Sequence, residues 1–444
     1  MQFKKNLILL FILSHTIAKA QVSDSTKLPF AIAKEKKLSD EDLKNKREGT
    51  YVTGVPDLSS DPVNGFGYGA EGSVFYSGKR NDPFFNYTAY RAKLDIALFN
   101  TTRSQREATV KLDVPYVFNT KWRLRLEASY ESNPNLLYFG NTEASLNGLS
   151  YYPGGDASKN LVANASYADY QNNFLIGNNQ FYNTYKKEEY VLNISGERSF
   201  LEGKVRTLIG YEMAHVGIST FEGNSLLQND FTQNKILGIG SSLVGISQVG
   251  LIYDTRDLET DPSQGIFAEL TNELSLKSLG SAYNFNKTFF HVNFYQNLIP
   301  QKTKKLVLAA RIAGGYTDGG APFFEYQDQW SSEGSIEGLG GAYTLRGYKQ
   351  ARFMSRVMTF NNLELRYRFA QTDILKQHLA FVAVPFVDAG GVWDKLSRMG
   401  YFNNYRVSEG LGLRIVWNVN TVLRFDYAIS KEDNQFFFNL AHAF

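Results

Sequence analysis

The sequence predicts an all-β fold: a transmembrane antiparallel β-barrel, read as sixteen strands. Three observations carry this. Apolar and charged residues alternate with period two in segment after segment. Many of these segments run ten or more residues, beyond the roughly five or six usual in soluble strands. Tyr and Phe number 27 and 33 against 5 Met, a balance that suits strands and membrane–water interfaces better than helical cores.

The alternation is clearest in Lys121–Glu131. Trp122, Leu124, Leu126, Ala128 and Tyr130 fall on one face, and Arg123, Arg125, Glu127 and Glu131 on the other. The same split recurs in Tyr90–Leu98 and Arg106–Phe118. Val357–Phe369 sets Leu363, Leu365, Tyr367 and Phe369 against Glu364, Arg366 and Arg368. Val422–Tyr427 sets Leu423, Phe425 and Tyr427 against Arg424 and Asp426. A soluble sandwich would also alternate. Strand length favours the barrel, as do charged faces carrying both signs at neighbouring positions, which suit a lumen lined with ion pairs.

Working back from the C-terminus, the pattern places strands at 435–444, 421–430, 406–418, 379–393, 356–370, 305–317, 282–298, 265–277, 247–257, 204–218, 186–199, 121–132, 105–118, 84–100 and 66–78. Thr50–Leu58 supplies one more, unless a hairpin inside Asn133–Tyr185 replaces it. The even total is what bacterial barrels require. Short turns at Phe200–Gly203, Pro300–Lys305 and Gln371–Gln377 would face the periplasm. The long polar stretches Asn133–Tyr185, Ser219–Gly245 and Gly319–Ser355 would face outside.

Residues 1–20 read as a secretory signal. Lys4 and Lys5 precede the apolar run Leu7–Leu13, and Ala18-Lys19-Ala20 is a cleavage site. The run is too short to span a bilayer, and no later stretch reaches about 18 apolar residues. The signal holds three Lys and no acid, so its removal leaves 44 basic against 44 acidic residues and argues against a nucleic-acid partner. Residues 21–49 are polar, and Ser39 with Asp42 could open a short helix through Lys46. That segment is either a frayed periplasmic tail or a helix that caps the lumen. The barrel proper occupies residues 50–444.

Four motifs then fall in order. Tyr253-Asp254-Thr255-Arg256-Asp257 is followed by Asp261-Pro262-Ser263-Gln264-Gly265. Thr344-Leu345-Arg346-Gly347-Tyr348 lies in the long Gly319–Ser355 stretch. Asn362-Leu363-Glu364-Leu365-Arg366 occupies the next strand, and Phe386-Val387-Asp388-Ala389-Gly390-Gly391-Val392-Trp393 the one after. The set resembles the BamA–TamA superfamily of outer-membrane assembly barrels, also called bacterial surface antigens. That resemblance implies a sixth extracellular loop folded back into the lumen, with Leu345, Arg346, Gly347 and Tyr348 at its tip. Arg346 would pair there with Glu364 and Asp388, which occupy inward positions in the alternation. A guanidinium brought inside a partly dry lumen needs such partners. The chain end carries the barrel signal Phe436, Phe438, Leu440 and Phe444, expected to alternate outward with His442. Asn439 stands where the family's end signal usually has Gly, and His442 where it has an apolar residue.

Members that insert or translocate proteins carry POTRA domains before the barrel; here only Gln21–Gly49 precedes it, so the chain looks like a short member lacking them. The resemblance implies the outer membrane of a Gram-negative bacterium, with outer-membrane lipids and client outer-membrane or exported proteins as partners. The expected role is aiding insertion or translocation of proteins or lipids, with a passive channel or structural surface barrel as alternatives.

No catalytic, metal or cofactor site is expected. The absence of Cys excludes thiolate zinc, iron–sulfur and Cys-nucleophile chemistry. His215, His291, His378 and His442 are widely spaced, and there is no HExxH, GxSxG or phosphate loop. His215 and His442 read as interfacial strand residues, and His378 as a turn residue.

Overall fold

The structure, a computed structural model, describes residues 27–444 apart from 62–63, 177–178, 300–304, 376, 400 and 419. The expected signal, residues 1–20, lies outside the described residues, as does most of the Pro300–Lys305 turn. Sixteen strands form one antiparallel sheet that curls into a nearly closed barrel. The first eleven are β1 (Thr50–Asp61), β2 (Gly65–Tyr76), β3 (Ala92–Thr101), β4 (Arg106–Val114), β5 (Trp122–Leu137), β6 (Thr184–Phe200), β7 (Val205–Thr220), β8 (Gly240–Asp254), β9 (Gly265–Ser275), β10 (Phe285–Asn297) and β11 (Lys305–Gly319). A two-residue pair, β12 (Asp328–Gln329) and β13 (Ile336–Glu337), sits apart in the loop that follows. The barrel resumes with β14 (Val357–Ile374), β15 (Gln377–Trp393), β16 (Arg406–Trp417), β17 (Thr421–Ile429) and β18 (Asn434–Leu440).

The strands exist because one face of each is apolar and the other polar, and the barrel turns the apolar face outward. Leu192, Ile194, Ile209, Leu251, Leu270, Ile312 and Leu363 stand exposed on the outer wall. Opposite them, Glu197, Glu212, Glu269, Lys287, Arg311, Glu364 and Arg414 are buried inside. This is the arrangement of a barrel whose solvent outside is lipid.

Several boundaries differ from the sequence reading, and β5 runs on to Leu137, past the expected end at 132. Residues 84–91 are not strand. Phe84, Phe85, Ala89 and Tyr90 fold beneath the short-turn end of the barrel and are buried there, so their apolar character is core, not lipid face. β4 stops at Val114, because Pro115 has no N–H for the ladder and Tyr116 is left-handed at φ 54°. β8 starts at Gly240, where glycines and serines hide the alternation. The Gln371–Gln377 turn is mostly ladder, since Ile374 pairs with Gln377. β18 ends at Leu440: Ala441, at φ 68°, turns the last residues inward.

Before β1, Ser39 Oγ accepts from the Asp42 amide at 3.1 Å and opens a short helix, Asp40–Asn45. The segment crosses the short-turn end. Ala33 N donates to Glu202 O at 2.9 Å and Leu38 N to Asn86 O at 2.9 Å.

Candidate functional site: the lumenal charge network

The loop from 320 to 356 enters the barrel and packs against the inner wall of its C-terminal half. Leu345, Tyr348, Phe353 and Leu339 are buried with Phe289, Phe360 and Val392 of the wall. At the tip Gly347 holds φ 90°, and a Cβ there would lie 3.0 Å from the Ile429 carbonyl carbon. Only glycine fits both demands.

Arg346 is 1% exposed. Its Nε and Nη2 donate to Asp388 Oδ2 and Oδ1 at 2.8 and 2.9 Å, a two-pronged contact. Nη1 donates to Glu364 Oε1 at 2.8 Å and to Asp426 Oδ2 at 3.0 Å. Its backbone amide adds a bond to Asp388 Oδ2 at 3.1 Å. The guanidinium carbon sits over the Phe386 ring, 3.4 Å from its centre. The structure therefore brings Arg346, Glu364 and Asp388 together.

Further residues complete the network. Arg414 Nη1 donates to Asp426 Oδ1 at 2.6 Å, and Arg366 Nε to Glu364 Oε2 at 2.9 Å. Asn362 Nδ2 holds both Asp388 Oδ1 at 2.7 Å and the Thr344 carbonyl at 2.9 Å. Three acids facing at least three guanidiniums leave no carboxylate stranded in a low-dielectric interior. Sequence reasoning missed Asp426 and Arg414 as partners. The signal for Asp426 was present, because it lies on the charged face of the Val422–Tyr427 alternation.

Two more contacts fix the loop. Arg352 Nε and Nη2 bind Glu432 Oε2 and Oε1 at 2.7 and 2.9 Å, in the turn between β17 and β18. Ser331 Oγ donates to Glu269 Oε2 at 2.7 Å, beside His291, whose Nε2 is 3.0 Å from the same carboxylate. His291 is thus part of the loop's seat on the wall.

The terminal residues divide. Phe436 is exposed outward, and Phe438 packs at a tilt on the outward Phe425 at 4.9 Å between ring centres. Leu440 is half-buried at the end of the strand. Phe444 does not continue outward. It packs inside on Tyr295, Val307 and Ala309, between the guanidiniums of Arg311 and Arg366 at 4.9 and 5.2 Å. Its carbonyl accepts from Arg366 Nη2 at 2.9 Å. His442 is likewise internal, with Nε2 3.0 Å from Asp261 Oδ1, rather than interfacial. The left-handed Ala441 breaks the alternation there, and a single residue's φ is not written in a period-two pattern.

At the seam, no backbone ladder joins β1 to β18 among the described residues, although every other neighbouring pair of barrel strands is laddered. Thr53 Oγ1 reaches Thr421 Oγ1 on β17 at 3.3 Å across the gap.

Comparison with known proteins agrees with this geometry. Residues 28–91 match a domain of unknown function, DUF5982. Residues 95–444 match the Omp85 superfamily domain. No curated protein matches by sequence. Among solved structures, CdiB from Escherichia coli superposes with a TM-score of 0.51 at 10% identity, covering 88% of this chain and 62% of that one. BamA from Haemophilus ducreyi lacking POTRA domains 1–3 gives 0.49 at 15% identity, covering 89% of this chain and 70% of that one. The chain spans less than two thirds of CdiB, so that likeness speaks for the fold alone. With the family domain covering all but the first two strands of a barrel that is apolar outside and charged within, the chain belongs to the Omp85 superfamily and is a β-barrel of the Gram-negative outer membrane.

Proposed function

We propose that this barrel aids the insertion or translocation of proteins or lipids at the outer membrane, acting through the seam between β1 and β18. The carrying observation is that, among the described residues, no ladder is made at that one place. On the β18 side pairing thins towards it, from fifteen residue pairs between β14 and β15 to seven between β17 and β18, while β1 keeps twelve pairs with β2. β1 also contains Pro56, which cannot donate a ladder hydrogen bond, and Gly54. An edge with unmade backbone bonds is where another strand, or a lipid chain, can enter at least cost. Arg346 and its acids act as a lock that holds the loop tip inside while the seam works. The site is built from ion pairs between loop and wall, which suits a conformational role rather than chemistry on a substrate.

The chain has no Cys, so introduced pairs form the disulfides unambiguously. A panel would place one Cys within residues 50–56 and one within residues 436–440. Oxidised pairs that bridge the seam should reproduce the outer-membrane protein and lipid profile of the deletion strain, and reduction should reverse it. Cells with a fully bridged seam and a normal profile would rule the reading out.

A passive channel is the second reading. The inner wall of β1–β5 favours it: side chains there are solvent-accessible, with Asp95 32% and Lys111 44% exposed. Glu364, Asp388 and Arg414, which face the loop, are at 0%.

A further inference from the structure

The loop 320–356 fills one half of the lumen and leaves the other half wet. Lys93, Asp95, Lys111, Glu127 and Glu131 line this second half, paired as Lys93–Asp95 along β3 at 2.9 Å and as Lys111–Glu127 between β4 and β5 at 2.9 Å. Among the described side chains, inward positions of β1–β5 hold seven carboxylates (Asp57, Glu71, Asp95, Glu107, Asp113, Glu127 and Glu131) against four cations (Lys93, Lys111, Arg123 and Arg125). A path lined this way holds cations at higher concentration than anions.

The periplasmic end of this half is covered by residues 27–49 together with the turn 77–91 on which they pack. Residues 27–49 cross it, docked on the turn 77–91. Leu38 is buried among Tyr51, Phe75, Ala89, Tyr90 and Leu258. Lys36 Nζ lies 3.0 Å from Asp254 Oδ2. Lys46 Nζ donates to Thr88 O at 2.7 Å and to Phe85 O. Phe30 packs on Phe84 and Tyr116 at 5.5 and 5.7 Å between ring centres. Beneath the floor, Arg123 bridges Asp113 at 2.6 Å and Glu259 at 3.0 Å. Few of these contacts are backbone ladder. They are a few buried apolar side chains, the ion pairs Lys36–Asp254 and Glu48–Arg80, and a handful of hydrogen bonds, which can release together while the barrel's own ladders stay intact.

We propose that residues 27–49 form a removable floor under the wet half-lumen, so that the barrel is a closed conduit for water and small cations that opens when this segment leaves. This rests on the channel reading above. It also gives the matched domain of unknown function a physical role. That domain joins residues 27–49 to β1, β2 and the 77–91 turn because the turn is the seat of the floor.

The test is conductance of the purified full chain in planar bilayers under a KCl gradient. The intact protein should stay near baseline. Leu38→Asp puts a charge where a leucine is buried, and should raise the open fraction on the order of thirtyfold, with a reversal potential favouring K⁺ over Cl⁻. In that background, Ala33→Cys with Gly203→Cys ties the segment back to the turn it touches. Oxidation should close the pore and reduction reopen it, which guards against mere unfolding. A Leu38→Asp pore that stays shut, prefers chloride, or ignores the tether overturns the floor. Deleting residues 335–352 separates the two readings: current there but none on displacing the floor removes the floor alone, whereas silence in both removes the conduit as well.

Discussion

Arg346→Ala tests the loop lock directly. In the wild type, Arg346 makes four side-chain hydrogen bonds to three buried carboxylates. The three acids do not lose equally on truncation. Glu364 retains Arg366 at 2.9 Å and Asp426 retains Arg414 at 2.6 Å. Asp388 retains Asn362 at 2.7 Å but loses the cation that neutralises it. Breaking a buried pair costs about 3–5 kcal/mol where water is well excluded. Two of the three acids keep a cation here and a lumen is wetter than a core, so the lower end, about 3 kcal/mol, applies. That is on the order of a hundredfold in the equilibrium for loop release. Trypsin can read it at Lys349 and Arg352, since cleavage follows the open population when reclosing is fast. The tip should be cut on the order of a hundredfold faster while the barrel stays folded. Asp388→Ala should do nearly the same, and the double variant should be no worse than either single. Simple additivity of the two substitutions would show that they do not interact, and the lock would have to be abandoned.

Other expectations follow from the same geometry. The mature chain should resist carbonate extraction and migrate faster unheated than boiled on gels; a soluble helical product by circular dichroism would contradict the barrel. Deleting residues 335–352 should raise a small, irregular conductance, and a large steady current from the intact protein would show that the loop does not occlude the lumen. Burial lowers the Lys46 ammonium to about 7, with Asp82 opposing and Arg91 adding to the shift. A folded pKa below the unfolded value means the unfolded state binds more protons between the two, so docking of residues 27–49 should strengthen as pH rises from about 7 towards 10, seen as larger protection factors, relative to the intrinsic exchange rate at each pH, at Leu38 and Leu43. Lys46→Met should flatten that dependence. Removing His442–Phe444 should speed amide exchange in residues 436–440, and unchanged protection would mean the inward tail does not hold β18.

Legibility tracked the physics of each signal. Period-two alternation is written along most of the long strands, the glycine- and serine-rich start of β8 apart, so the strand number and the inward faces of Glu364 and Asp388 could be read directly. The loop tip was legible through its motif, because Arg346 and Gly347 meet demands, charge pairing and positive φ, that few residues satisfy. What failed were places where another element replaces lipid as the apolar partner. Phe84, Phe85 and Tyr90 look like lipid-facing strand residues but are covered by the segment before β1. The same holds for Phe444, which looks like an interfacial aromatic and instead fills a gap between two guanidiniums. One sequence pattern serves both environments, and only the tertiary path tells them apart.

That tertiary path explains why β18 stays in place at all. A seven-pair ladder on one side, with no ladder on the other, would leave a seven-residue strand prone to fraying. Its two ends are held from inside instead. At the outer end, Ser430 Oγ donates to Gly347 O at 2.7 Å, Lys349 pairs with Asp433 at 3.0 Å, and Arg352 grips Glu432. At the inner end, Tyr343 OH donates to Asn439 Oδ1 at 3.2 Å, and Arg311 and Arg366 hold the last two carbonyls. Tyr343, Gly347, Lys349 and Arg352 all belong to the loop that Arg346 fixes. The edge strand is therefore positioned by the lumen rather than by its neighbour across the seam. β1 has no such grip from the loop. It is held instead by its twelve-pair ladder with β2 and, at the periplasmic end, by Tyr51, which packs with Leu38 and accepts a hydrogen bond from Asn420 Nδ2.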